Sequence, residues 1–252
     1  MLQASPSADG CSNLYHFPPW NFAYVSTAQT LPTPTNHGIR AAMTVHNPYM
    51  PNISGYHSLG EIAASTQDGR HKVEVGWIMN NGDVWPELFV YHWRNYASTC
   101  YNGCGYVQVS SNVYAGMPLS EGDAFFQILH WYNNVGWAWW IYAYGEWIGY
   151  FPDSLWSNDF TNVEGGYWFG EVSMPETTNL GCAYMGNGLY GTQTGAAGLW
   201  WMQYSATSDW TQAMNSWNDA DPIPNVSDPS CYNMGNFAGS SFNWGGPSLG
   251  CP

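Results

Sequence analysis

Between residues 71 and 79 the chain reads HKVEVGWIM, and its side chains alternate. Val73, Val75 and Trp77 fall on one face, Glu74, Gly76 and Ile78 on the other. Period two marks a β-strand, because successive Cβ atoms point to opposite sides of the pleat. Strand-like stretches recur at 39–46, 56–65, 87–93, 105–110, 124–132, 137–144, 146–151, 167–173, 183–184 and 196–204. Asn80-Asn81-Gly82-Asp83 is a hairpin signal, and Asn133-Asn134 and Gly145 mark two more turns. The apolar content comes from 16 Trp, 18 Tyr and 10 Phe, residues that suit a pleated, half-buried surface. Runs of Leu, Ala, Glu, Lys and Arg that would build long helices are missing; only 153–160 (DSLWSNDF) reads as a helical turn or two. The expected fold is all-β, an antiparallel β-sandwich of two packed sheets over 38–252. Residues 1–37, rich in Pro, Ser, Thr and Asn, are expected to form an extended arm packed on that domain.

Charge narrows the function. Four basic side chains (Arg40, Arg70, Lys72, Arg94) face 18 acids, for a net charge of -14 at pH 7 and a sequence pI near 4.4. Such a chain repels phosphate backbones, which excludes nucleic acid as a partner. With so few cations, few carboxylates can sit in salt bridges whose protonation drives acid unfolding. Adaptation to acid is the reading; an acidic surface kept for solubility is the alternative. Six cysteines fit three disulfides made in an oxidising compartment. The triplets at Asn52 and Asn225 are compatible with secretion. No stretch approaches the roughly 20 apolar residues of a membrane span, and the N-terminus has no signal-peptide pattern. A secreted, extracellular chain without its targeting segment is expected.

No metal or cofactor is expected. The seven histidines lack an H-E-x-x-H or similar spacing, and no G-x-S-x-G supplies a serine nucleophile. Among the eight glutamates most flank turns or open strands. Glu74, in Val73-Glu74-Val75-Gly76-Trp77, and Glu171, in Trp168-Phe169-Gly170-Glu171-Val172, lie mid-strand beside glycines. A charge amid an apolar strand faces water or is held there for a purpose, and glycine lets another backbone or a substrate approach. Taken singly, solvent exposure is the simpler account of either residue.

Several short pieces occur in an order that carries a resemblance: VEVGW at 73–77, LFVYHW at 88–93, TCYNGCGYVQ at 99–108, IGYFP at 148–152, WFGEV at 168–172, MGNG at 185–188, SCY at 230–232 and GGP at 245–247. From about Gly38 to the C-terminus the chain resembles the neprosin family of glutamic endopeptidases. The resemblance implies a β-sandwich whose concave cleft carries Glu74 and Glu171 as the catalytic pair, acting on a protein or peptide substrate after proline at acidic pH. By family position it implies the bridges Cys100–Cys104 and Cys231–Cys251, which leaves Cys11–Cys182. The chain departs from the plant pattern in lacking a long propeptide, in a first cysteine pair one residue closer, and in that extra pair.

Two carboxylates in one site cannot both ionise cheaply, so one pKa rises and the other falls about the ordinary value of roughly 4.3. The ionised member, assigned here to Glu171, is a general base for water. The protonated member, Glu74, is the acid for the leaving amine. Candidate contacts to the oxyanion or substrate are Gln127, Tyr150, Trp77 and Trp168. Two other readings stay open. Two glutamates on a sandwich also describe a retaining glycoside hydrolase, with Trp131, Trp137, Trp139, Trp140, Trp147 and Trp168 stacking on sugars. The third is a non-catalytic aromatic-rich binding module. A monomer is expected.

Overall fold

Alternation places the strands, and pairing decides what each face meets. The computed structural model describes residues 15–17, 20–30, 36–50, 54–175, 183–208, 215–216, 223–227, 229 and 231–246. Side chains are described within these from residue 36 onward, except at 174–175, 215–216 and 223. The strands in chain order are β1 (Tyr15–Phe17), β2 (Trp20–Thr30), β3 (Gly38–Val45), β4 (His57–Ser65), β5 (Lys72–Asn80), β6 (Glu87–Arg94), β7 (Ala97–Ser98), β8 (Val107–Gln108) and β9 (Gly122–Asn133). There follow β10 (Gly136–Ala143), β11 (Glu146–Pro152), β12 (Gly165–Pro175), β13 (Ala197–Ser205), β14 (Asn215–Ser216), β15 (Ile223–Val226), β16 (Asn233–Met234) and β17 (Phe242–Gly245).

They form two antiparallel sheets. The first runs β1-β2-β12-β4-β5-β6-β7, with β15 pairing β2. The second runs β16-β17-β13-β3-β9-β10-β11-β8, with β14 pairing β13. The expected sandwich is therefore the fold. Residues 183–184 are not a strand, and 105–110 contributes only β8. The helical stretch is one 3-10 turn, Asp153–Trp156, closed by Ser157 in the left-handed conformation at φ 56°. The N-terminal segment does more than lie on the body: β2 pairs residue by residue with β12, Trp20 against Pro175 through Thr30 against Gly165. Cys11, Cys182 and Cys251 lie outside the described residues.

The core sits between the sheets. From the first sheet it takes Ile62, Ala64, Val73, Val75, Trp77, Leu88, Val90, Trp168 and Val172; from the second, Ile39, Ala41, Met43, Phe126, Ile128, Trp139, Ile141, Phe151 and Trp244. A buried indole must place its N–H. Trp77 donates to the Thr44 carbonyl at 2.9 Å and Trp168 to the Arg40 carbonyl at 3.2 Å, each crossing from the first sheet to β3 of the second. Glycine makes room for the rest. A Cβ at Gly170 would lie 2.0 Å from the Trp244 ring. Truncating an indole so enclosed costs about 3–5 kcal/mol.

Candidate active site

With β-strand parity fixed by the core residues, the opposite parity of the first sheet faces outward. On β5 that is Lys72, Glu74, Gly76 and Ile78; on β4, His57, Leu59, Glu61 and Ala63; on β12, Tyr167, Phe169 and Glu171; on β6, Phe89, Tyr91 and Trp93. This face is not open to water. Leu59, Ile78, Phe89 and Tyr91 form their own buried cluster, with Trp93 and Phe169 against it. Glu74 is 8% exposed and Glu61 only 3%. Glu61 and Glu74 are thus enclosed on an outward face, and Glu171 stands on the same face near enough for its charge to act on both.

Each carboxyl has its own setting. Trp93 Nε1 donates to Glu74 Oε1 at 2.8 Å. Burial lifts the Glu74 pKa to about 7; the Glu171 charge adds to the rise, while Lys72 and the Trp93 hydrogen bond oppose it. Glu171 Oε1 lies 3.0 Å from His57 Nε2, and its side chain is 21% exposed. Lys72 stands 5.5 Å from the Trp93 ring and 5.7 Å from that of Tyr167. The two predicted glutamates therefore differ: one is dry and protonated up to near neutrality, the other is wetter and held by a histidine.

A third carboxyl was not anticipated. Glu61 reads in sequence as one more glutamate of no special place, yet it stands mid-strand in β4, opposite Gly76 on β5 and Phe169 on β12. Burial, then the charges of Glu74 and Glu171, push its pKa well up, with Lys72 opposing. The available signal was the strand itself: HSLGEIAAS is apolar at both parities around one acid, the pattern of a strand covered on both faces.

Tyr101 packs on the same outward face. The Cys100–Cys104 disulfide forms as the resemblance implied. Asn102 ties the clipped loop to β6, its N–H donating to the Val90 carbonyl and its Oδ1 accepting from the Val90 N–H, both at 3.0 Å. That seats the Tyr101 ring 5.6 Å from Phe89 and 4.7 Å from Tyr91. Burial and then the charges of Glu171, Glu61 and Glu74 raise its phenol pKa, so it is a neutral donor.

The four predicted contact residues are not brought to the carboxylates. Trp77 and Trp168 are fully buried on the inner face, as knobs of the core. Gln127 pairs with Arg40 and Tyr142, at the parity opposite Phe126 and Ile128, on the outer face of the second sheet. Tyr150 pairs with Trp140 on that same outer face. The whole sandwich separates these two from Glu74. Each residue's strand was legible from alternation, but not the side of the molecule that the strand's outer face adopts. Two of the glycines also serve elsewhere: a Cβ at Gly166 or Gly170 would strike Trp168 or Trp244 in the core, whereas one at Gly76 would strike Glu61. Cys231 is disulfide-bonded; its expected partner Cys251, and Cys11–Cys182, lie outside the described residues. Among the described residues no three His, Cys, Asp or Glu side chains form a group that could hold a metal ion.

Comparison with known proteins agrees with this fold. The neprosin family's sequence profile matches residues 54–247. The structure is similar to scytalido-glutamic peptidase solved with a transition state analog inhibitor, at 10% identity and TM-score 0.52, over 89% of this chain and 97% of that one. A second structure of that peptidase, with a peptide-based transition state analog, superposes at 9% identity and TM-score 0.51 over the same shares.

Proposed function

This chain belongs to the neprosin family of glutamic endopeptidases, and from that premise we propose that it cleaves peptide bonds after proline in acid, with Glu171 as general base and Glu74 as general acid. The observation that carries the roles is the contrast between the two carboxyls on one face. Glu74, lifted to about 7 by burial, holds a proton throughout acidic pH. Glu171, beside His57 and the more exposed of the two, is placed to be ionised and to meet a water. In the reaction Glu171 removes a proton from that water as the oxygen bonds to the scissile carbonyl carbon. The carbonyl oxygen gains charge and needs a neutral donor; Tyr101, which feels the charges of all three carboxyls, is better placed for that role than Gln127 or Tyr150. Glu74 then gives its proton to the nitrogen as the C–N bond breaks.

The proline preference has a lining to support it. Phe89, Tyr91, Trp93, Tyr167, Phe169 and Tyr101 surround the carboxyls, and a pyrrolidine ring is an apolar plate that packs on aromatic faces. Secretion is supported by the Cys100–Cys104 bridge and the bonded Cys231. The test is digestion of a proline-containing peptide set from about pH 3 to about pH 7, with products read by mass spectrometry. Wild type is expected to give products ending in proline, and Glu171→Gln and Glu74→Gln none. Equal cleavage by either variant removes that residue from the mechanism; products without proline at their ends remove the specificity.

A further inference from the structure

Resting on the reading that Glu74 and Glu171 act together, we infer that Glu61 is the positioning residue through which the two share protons. The strands that carry the pair are not neighbours, because β4 runs between β5 and β12. Glu74 stands opposite Ala63 and Glu171 opposite Leu59, so the pair is offset along β4 by 63 minus 59, or 4 residues, as well as by two strand spacings. On a flat sheet that is about 16 Å between Cα atoms. Two glutamates so placed are poorly set to make one direct O–H···O bond of about 2.6 Å. Glu61 lies at the midpoint, diagonal to each on the same face, where neighbours stand about 7–8 Å apart. Gly76, opposite it, leaves the space its side chain fills, since a Cβ there would come within 2.8 Å of Glu61.

Among the described residues, the groups facing Glu61 include no ion-pair partner of its own. They are Lys72 and Glu74 on β5, Tyr91 on β6, His57 on β4 itself, Tyr167 and Glu171 on β12, and Tyr101 from the clipped loop. Lys72 is the one that pulls toward ionisation, against burial and two carboxylates. A neutral carboxyl offers one O–H and one acceptor oxygen, the right equipment to join a carboxylate on one side to a carboxylic acid on the other. After a turnover Glu171 holds the proton taken from water, and Glu74 is ionised, having protonated the amine. Glu61 passes its own proton to Glu74 and takes the one on Glu171. One proton crosses, Glu61 ends as it began, and the pair is reset.

Two measurements test this on the full chain carrying carboxyl-¹³C glutamate: NMR titration of the Glu74 and Glu171 carbons, and steady-state kinetics on the cleaved peptide. The variants are Glu61→Gln and Glu61→Leu. In wild type the two carbons are expected to move through shared, multi-step titrations; in both variants each moves in one step of its own. kcat is expected to fall at least about tenfold in both, with KM within about twofold. Glu61→Gln is the sharper arm, because its amide keeps the hydrogen-bond geometry but carries no transferable proton. Undiminished kcat in Glu61→Gln, single-step titration in wild type, or coupling that survives in Glu61→Leu overturns the bridge. If Glu61→Leu fails to fold, Glu61→Gln decides both measurements. Failure of the catalytic pair looks different: Glu171→Gln or Glu74→Gln would still cleave, whatever the titrations show.

Discussion

The two sheets turn unlike outer faces to the surroundings. On the first, Glu61, Glu74 and Glu171 sit among Phe89, Tyr91, Trp93 and Phe169, enclosed and short of cations. On the second, Trp131, Trp140 and Trp147 pack on one another and on Tyr142 and Tyr150, with ring centroids 4.7 Å apart for Trp131–Trp147 and Trp140–Tyr150. Nearby, Arg40 donates to Gln203 at 2.6 Å and lies 5.6 Å from the Phe125 ring. Aromatic density is thus common to both faces and discriminates nothing. What sets one face apart is buried acid. Of the tryptophans that could have lined a sugar cleft, Trp139 and Trp168 are in the core, Trp131, Trp140 and Trp147 lie across the sandwich from the carboxyls, and Trp137 stacks on His130 of the second sheet. That takes from the glycoside-hydrolase reading the lining it needed.

The largest expected effect tests that contrast directly. Glu171→Gln or Glu74→Gln should lower kcat at least about a thousandfold while far-UV circular dichroism stays unchanged. Trp147→Ala, on the other outer face, should leave kcat within about twofold. A second-face substitution that matched the glutamate variants would mean that the site has been put on the wrong sheet.

Next comes stability against pH, where two buried groups pull in opposite directions. Glu74 has a folded pKa of about 7 against a reference of 4.5. Its contribution is therefore fully present below about 4.5 and lost as pH rises through about 7, a difference of roughly 3 kcal/mol. Glu61 acts with the same sign. His92 is the counterweight: burial lowers its pKa from 6.5 to about 4. Its contribution is present above 6.5 and lost as pH falls through about 4, again by roughly 3 kcal/mol. The two windows overlap from about pH 4.5 to about pH 6.5, where the contributions offset. Melting temperature should therefore be broadly flat there and fall on either side, below as His92 charges and above as Glu74 ionises. Glu74→Gln should flatten the alkaline limb. His92→Phe, which keeps ring contacts with Phe151 and Trp156, should flatten the acid one. A wild-type curve that rises steadily from about pH 4.5 to pH 8 would refute the burial argument for both carboxyls. The charge balance alone spoke of acid tolerance and missed His92, because burial of a histidine is not visible in a count of cations.

A smaller effect concerns the glycines that separate core from outer face. Gly170→Ala would press a methyl into Trp244, an overpacking expected to cost about 1–3 kcal/mol, or a melting temperature lower by several degrees. KM should hold, since the methyl points into the core and away from Glu171. Gly145→Ala places a Cβ where no atom lies within 4 Å, and its strain comes only from the backbone φ of 93°. It should be the milder of the two by differential scanning calorimetry.

Legibility followed locality. The strand pattern over 71–79 and the turns at Asn80-Asn81-Gly82-Asp83 and Gly145 were readable because alternation and turn chemistry are local; so were Glu74 and Glu171, each a mid-strand acid. The strand Trp20–Thr30 was hidden by the proline-rich stretch around it, although WNFAYVS sets Trp20, Phe22 and Tyr24 two apart. Glu61 was hidden because its strand is apolar at both parities, so alternation gave no sign that one face was special. The partners β5 and β12 make it a neighbour of both other acids, and long-range pairing is what one strand's sequence does not carry.

Gln127 and Tyr150 carry the smallest expected effect and the cleanest check on side assignment. Both were candidates for the oxyanion because each places a neutral donor within an aromatic strand. Gln127 instead faces outward from β9 beside Arg40, and Tyr150 packs on Trp140. Gln127→Ala leaves Arg40 its bond to Gln203, and Tyr150→Phe keeps the ring, so neither should move kcat or KM by more than about twofold. Tyr101→Phe, at the same chemical distance from wild type as Tyr150→Phe, should lower kcat about tenfold or more, because it removes the donor proposed for the reacting carbonyl. Measuring the two tyrosine variants side by side isolates location from chemistry. If Tyr150→Phe lost activity and Tyr101→Phe did not, the oxyanion donor would belong to the second sheet, and the outer face of the first would hold acids with nothing to act on.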